Sequence, residues 1–179
     1  MKKKVFGLFS GGLDSILAHK IFCDLGFDVE ALHFATVFQK DNKFDELPSD
    51  FYFPITAGSF KIRVIDINDI YLPMVMNPQF GYGKNINPCI DCKIMFVIEA
   101  LKIMRAENGL FVFTGEVVGQ RPKSQKIPAL NKIARESARY LQTAGIINEY
   151  ANFLVRPLSA KLLPETEPEI RGIINRNDL

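Results

Sequence analysis

The polarity pattern alternates between short apolar runs and segments of helical period. Val5-Phe6-Gly7-Leu8-Phe9 is apolar throughout and reads as a strand. Leu13, Ile16, Leu17, Ile21 and Leu25 then recur at helical spacing as one apolar face, and Gly26 is the stop signal. Val29–Ala35 reads as a second strand and Ile62–Asp66 as a third. The stretch between them, residues 36–60, is polar and broken by Pro48, Pro54 and Gly58, which predicts a loop with room for a short helix. Asp69 is expected to cap a helix whose apolar side is Ile70, Met74 and Val75, with Pro73 limiting it or sitting in its first turn. Residues 77–90 hold two Asn-Pro pairs and two glycines, and read as loop. A strongly periodic helix follows from about Asp91 to Asn108, on Ile94, Val97, Ile98, Leu101 and Met104, with Asn108-Gly109 as its end. Leu110–Thr114 is a strand with no polar alternation, as in the centre of a sheet covered on both faces. A helix over about Ala129–Ala144 and a short strand at Phe153–Pro157 complete the series.

Strands alternating with helices predict an α/β fold: a doubly wound, mostly parallel sheet. The 179 residues suggest one domain, residues 1–160, followed by a polar C-terminal extension, 161–179, that is a candidate truncation point. Hydrophobic content of 47% is enough for a core, yet no run is long enough for a transmembrane helix, so no membrane partner is expected. Met1-Lys-Lys-Lys-Val5 is basic, but no secretory apolar region or cleavage site follows it. Three cysteines, an odd number, argue for a reducing cytoplasm over a disulfide framework. The net charge of +2 is unevenly spread: the span Lys84–Lys161 carries twelve Lys or Arg against six Asp or Glu. That half suits a polyanion such as RNA, or is simply a solvated basic surface. Oligomeric state is not legible in the chain.

Ser10-Gly-Gly-Leu-Asp-Ser15 lies between the first strand and the first helix. Its loop amides and the helix N-terminus make an anion site, because first-turn N–H groups have no intrahelical partner and the dipole is positive there. Two hydroxyls and a carboxylate in the same six residues ask for a phosphate with a metal beside it. In a doubly wound sheet, ligands bind at the carboxyl ends of the strands. Asp14, Cys89, Cys92, Glu116, Gln120, Arg121 and Gln125 all follow strand ends and are candidates for one site. Cys89-Ile-Asp-Cys92 opens a helix, where the dipole favours thiolate and Lys84 or Lys93 would help. Its uses are sulfur carriage, a redox pair or half of a metal site. Only Cys23, His19 and His33 remain as further Cys or His donors, so this chain does not close a four-ligand zinc site in the usual manner. Cys23 reads as core.

Ser10–Ser15 resembles the PP-loop of the ATP pyrophosphatase superfamily, and the chain contains no Walker A string. Gly83-Lys-Asn-Ile-Asn-Pro-Cys-Ile-Asp-Cys-Lys93 is similar to the Asn-Pro-Cys segment of tRNA-thiolating PP-loop enzymes. Thr114-Gly-Glu-Val-Val-Gly-Gln-Arg-Pro-Lys-Ser-Gln125 and Arg156-Pro-Leu158 resemble stretches of the 4-thiouridine synthetases, related to the tRNA 2-thiouridylases; a stand-alone thiouridine-synthase-like group is more similar still. The resemblance implies a Rossmann-like fold of the adenine nucleotide alpha hydrolase type. It implies an ATP-dependent sulfurtransferase that adenylates a uridine carbonyl oxygen of tRNA, releases pyrophosphate, and replaces the oxygen with sulfur from a persulfide donor such as a cysteine desulfurase. ATP would be held by Ser10, Gly11, Gly12, Leu13, Asp14 and Ser15, by the backbone near His33 and Phe34 for adenine, and by Gly115, Gln120 and Arg121. Ser124 and Gln125 would help position the nucleotide, and Gly115 would let the α-phosphate or ribose approach. Asp14 would hold Mg²⁺. Cys89 and Cys92 would carry sulfur or ligate an iron–sulfur cluster or zinc, although the usual third cysteine of the cluster-bearing relatives is missing. Lys123, Lys126, Lys132, Arg135 and Arg139 would contact RNA backbone or form a solvated helix face. Glu116 is either a functional carboxylate or a cap or salt-bridge partner. Neither a THUMP-type RNA-binding extension before the loop nor a rhodanese-like tail is expected from these residues. Two other activities share the loop: an amidotransferase or ligase acting on an activated carboxylate, and a nucleotide-binding or sulfur-relay module that needs a partner for catalysis.

Overall fold

A computed structural model describes residues 2–39, 47–48, 51–56, 58–83, 86–121, 124–146 and 153–159. The first strand, β1 (Lys4–Leu8), leads through the glycine loop into α1 (Leu13–Asp24) and back into β2 (Asp28–Ala35). A hairpin follows, β3 (Tyr52–Ile55) with β4 (Gly58–Asp66), and then α2 (Asn68–Met76) and α3 (Cys89–Ala106). The series closes with β5 (Val112–Thr114), α4 (Ile127–Thr143), β6 (Leu154–Val155) and a 3₁₀ turn at Pro157–Ser159. The six strands form one sheet in the order β3-β4-β2-β1-β5-β6, in which only β3 runs antiparallel. The doubly wound, mostly parallel, Rossmann-like fold is therefore present.

The chain builds outward from β1 through β2 to β4, then returns across β1 to add β5 and β6. This reversal opens a crevice at the carboxyl ends of the strands. The pleat sends alternate residues to opposite faces. Phe6, Leu32, Phe34 and Val112 pack with α3 and α4, whereas Val5, Ala31, Ile62 and Phe113 pack on the side of α1. Both faces are covered, which is why the central strands are apolar without alternation.

Several expectations are corrected. The buried face of α1 is Ser15, Ala18, His19 and Phe22, while Leu13, Leu17 and Leu25 are 71%, 40% and 40% exposed. The sheet beneath α1 already presents the rings of Phe9, Phe60 and Phe113, so small residues and a flat imidazole fit there and leucines do not. The stretch read as loop before the third strand contains β3, whose Pro54 is tolerated because β3 is an edge strand. Asp69 does not cap α2: Asp66 Oδ1 accepts the Asn68 N–H at 2.8 Å, and Asp69 lies in the first turn. Pro73 sits inside α2, which continues to Met76. At the end of α3 it is Asn108 that takes the left-handed conformation (φ 55°). Gly109 instead makes room for Phe6, since a Cβ there would lie 2.6 Å from that ring.

Candidate active site

The loop after β1 owes its shape to two glycines and two serines. Gly11 has φ 75°, a conformation side chains disfavour. Gly12 is the extended N-cap of α1. Ser15 Oγ donates to the Gly12 carbonyl at 2.7 Å and lies 3.4 Å from Ser10 Oγ, which accepts the Gly12 N–H at 3.5 Å. Beneath the loop, fully buried His19 donates from Nδ1 to the Ser15 carbonyl at 2.6 Å. Burial lowers the His19 pKa to about 4 despite that bond, so the ring is neutral.

Gly115 joins this loop to the one after β5. A Cβ on Gly115 would stand 2.6 Å from the Asp14 carbonyl carbon and oxygen and 2.7 Å from Ser15 N. The bare Cα thus makes room for the protein backbone of the first loop, while Gly115 also lines the cavity. The two loops meet α3 and the end of β2 around a cavity of about 340 Å³. It is lined by Phe9, Ser10, Gly12, Asp14 and Ser15, by Leu8 and by Leu32–Phe34. Lys93, Phe96 and Val97 line it from α3, and Thr114–Glu116, Gln120, Arg121 and Gln125 from the β5 side.

Of the expected ligand residues, Ser10, Gly12, Asp14, Ser15, His33, Phe34, Gly115, Gln120 and Arg121 line this cavity. Gly11 and Leu13 do not; their part is backbone geometry, and the Leu13 side chain is exposed. His33 and Phe34 are buried side chains, with His33 Nδ1 bonded to the Phe9 carbonyl at 2.9 Å and Phe34 stacked on Phe96. What β2 offers is backbone. Leu32 O accepts the Phe9 N–H, and alternation directs the Phe34 amide and carbonyl to the same side, beyond the last residue of β1.

Cys89 and Cys92 are not brought into the cavity lining. Cys92 is buried in the α2–α3 packing, 3.6 Å from the Tyr71 hydroxyl, and burial raises its pKa, against the thiolate character expected of it. Lys93 does not serve the thiols; it pairs with Glu116. Cys89 is half-buried at the first position of α3. It stands one turn before Lys93 and two before Val97, on the same helix face that walls the cavity. Among the described residues no three Cys, His, Asp or Glu gather as a metal site. Among the described residues the remaining Cys and His donors do not join Cys89 and Cys92: His19 and His33 are committed elsewhere, and the Cys23 thiol, at the far end of α1, is pushed by burial to about 11. They do fit Mg²⁺ with a nucleotide, since that ion needs one carboxylate, here Asp14, together with phosphates and water.

Glu116 is the salt-bridge partner. Its carboxylate is buried, pairs with Lys93, and accepts from Arg156 Nε at 2.8 Å and Thr114 Oγ1 at 3.2 Å. Burial alone would raise its pKa, but Arg156 and Lys93 outweigh it and hold the carboxyl below the usual range. Arg156 also donates to the Leu130 carbonyl at 3.2 Å, and Ser159 Oγ bridges the Glu116 carbonyl and the Val118 amide. Lys93, Phe96 and Val97 were not singled out for the nucleotide site; their helical spacing from Cys89 was the available signal. Gln125 Oε1 is buried without a hydrogen-bond partner in the cavity wall, as a ligand-reading group would be.

Lys126, the N-cap of α4, is exposed, as are Arg135 and Arg139 on the helix, and Lys132 lies over the Phe80 ring at 3.7 Å. Lys132, Arg135 and Arg139 share one helix face by spacing. Lys123 and Lys84 lie outside the described residues.

A family model described as Thiamine biosynthesis protein (ThiI) matches residues 1–144. The chain belongs to the ThiI family. Membership places it among PP-loop enzymes of tRNA sulfur modification, a family that uses ATP. No curated protein matches the chain. Among solved structures it is similar to a predicted subunit of tRNA methyltransferase from Methanocaldococcus jannaschii. The two are 16% identical over 96% of this chain and 73% of that one, with a TM-score of 0.45. No helix among the described residues of this ThiI-family chain is long and apolar enough to cross a membrane.

Proposed function

We propose that this chain is an ATP-dependent tRNA sulfurtransferase, forming AMP and pyrophosphate as it thiolates a uridine. The reading is supported by one observation above the others: the Ser10–Ser15 loop, the Gly115–Gln125 loop and the Cys89-bearing face of α3 converge on a single cavity. Loop amides with Ser10 and Ser15 hold phosphates; Asp14 would hold Mg²⁺, which would supply charge neutralisation for the leaving pyrophosphate. The Phe34 backbone receives the adenine edge beside the apolar wall of Phe96 and Val97. Gln120 and Arg121 close the exposed rim. The uridine carbonyl oxygen attacks the α-phosphorus, and the α–β bond breaks. The terminal sulfur of a Cys89 persulfide, loaded by a persulfide donor such as a cysteine desulfurase, then attacks the activated carbon, and the oxygen departs with AMP. The Cys92 thiol attacks Cys89 Sγ, breaking the S–S bond to release the thiolated uridine, and an external dithiol reductant reduces the Cys89–Cys92 disulfide that results. Cys92 is the second thiol of the pair. Arg135, Arg139 and Lys126 contact RNA backbone, because α4 packs directly along α3. A cytoplasmic location suits this substrate.

The test is pyrophosphate release from ATP and Mg²⁺ by the full chain, with tRNA and a persulfide donor, followed by mass spectrometry of tRNA nucleosides. The expected result is tRNA-dependent release and a thiolated uridine. Release driven instead by a carboxylate with ammonia would assign the amidotransferase class. ATP binding without turnover would assign a relay module.

A further inference from the structure

We propose that Lys93 is the α-phosphate ligand of the nucleotide site, directed there by a buried carboxylate whose charge is already met from behind. The proposal deepens the ATP reading above and rests on it.

Two cationic side chains line the cavity among the described residues, Lys93 and Arg121. Arg121 is exposed at the rim, whereas the Lys93 side chain is 24% exposed and reaches in from the second turn of α3 to Glu116. A lone pair of Lys93 and Glu116 would be neutral and would offer an anion little. Here the balance differs. Arg156, 5% exposed and outside the cavity lining, already bonds Glu116 Oε2 and is anchored behind it on the Leu130 carbonyl. The buried group of Lys93, Glu116 and Arg156 therefore carries one net positive charge. The cation of that group on the cavity wall is Lys93. In a cavity partly shielded from water, such a charge is worth more to an anion than it would be at the open surface.

Position selects which phosphate it meets. One turn beyond Lys93, Phe96 and Val97 form an apolar wall with Phe34, suited to a base. On the other side, Gly115, next to Glu116, packs against the Asp14–Ser15 backbone of the phosphate loop. Lys93 thus stands between the base end and the pyrophosphate end, where the phosphate joined to the ribose must lie. In the reaction an acceptor oxygen forms a bond to the α-phosphorus as the α–β bridging bond breaks, and the electron pair leaves with pyrophosphate. Lys93 keeps its proton throughout. Its ammonium meets the charge on the α-phosphate's non-bridging oxygens.

The probes are AMP and inorganic pyrophosphate, titrated separately into the full chain by calorimetry. Lys93→Met is expected to weaken AMP by about tenfold or more while moving pyrophosphate by less than about threefold. Lys93→Arg should recover most of the AMP affinity. Lys93→Gln repeats the measurement should the Met variant not fold. Equal loss of both probes, or loss of neither, overturns the assignment. A wild-type chain that binds neither probe overturns the nucleotide reading itself.

Discussion

The imidazole of His19 occupies the space that a side chain on Gly7 would need: a Cβ there would lie 2.4 Å from His19 Nε2 and 2.4 Å from the Phe113 ring. The same imidazole holds the Ser15 carbonyl from below. A glycine in the middle of β1 thereby sets the height of the phosphate loop. Gly7→Ala is expected to cost about 1–3 kcal/mol, the usual range for overpacking a closed core. Denaturant melts measure it, and an alanine variant as stable as the parent would mean that the ring moves freely.

Gly115→Ala acts on the site rather than on the core. Its methyl group would push against the Asp14–Ser15 backbone at 2.6–2.7 Å, neither atom being the end of a flexible side chain. ATP affinity should fall by about tenfold or more, because loop amides misplaced by even a fraction of an ångström lose their geometry. Calorimetry with ATP reads this directly. Unchanged affinity would show that the loops can separate without harm.

Acid should destabilise the protein in two windows. His19 has a folded pKa of about 4 against an ordinary 6.5, so the unfolded chain binds the proton first. Its contribution is complete above pH 6.5 and is lost as pH falls toward 4. Glu107 bonds Arg63 and Lys4, which hold its carboxyl at about 2 against 4.5. Its contribution is present above pH 4.5 and fades between there and pH 2. His19→Asn should flatten the stability profile between pH 6.5 and 4.5, and Glu107→Gln the lower window. Urea midpoints across pH are the measurement.

The three thiols should separate under alkylation. Cys89 is half-buried on the open end of α3. Cys92 is enclosed with Tyr71 and its thiol is raised by burial. Cys23 is held at about 11. At pH 8 only about a thousandth of Cys23 is thiolate, since each unit of pKa above pH costs a factor of ten. Mass spectrometry of iodoacetamide-treated protein should find Cys89 modified first. Labelling of Cys92 ahead of Cys89 would reverse the sulfur-bearing assignment.

Much of the site was legible because its parts are contiguous. The Ser10–Ser15 string carries its own strand, turn and helix start, and Gly115–Gln125 follows a strand whose apolar run is unmistakable. The α1 face was misread because periodicity counts leucines and cannot see that Phe9, Phe60 and Phe113 leave room only for Ser15, Ala18 and His19. The edge strand β3 was hidden by Pro54, which a sheet margin tolerates.

The sequence alone determined the α/β alternation, the phosphate loop and the Cys89-x-x-Cys92 spacing at a helix start, since each depends on residues a few positions apart. Only the tertiary structure decided that Cys92 is buried against Tyr71, that Glu116 is neutralised by Arg156 from just beyond β6, and that Lys93 lines the cavity. Those are matters of long-range packing and charge balance. They arise where the chain returns across β1, bringing together residues that separation along the chain leaves unrelated.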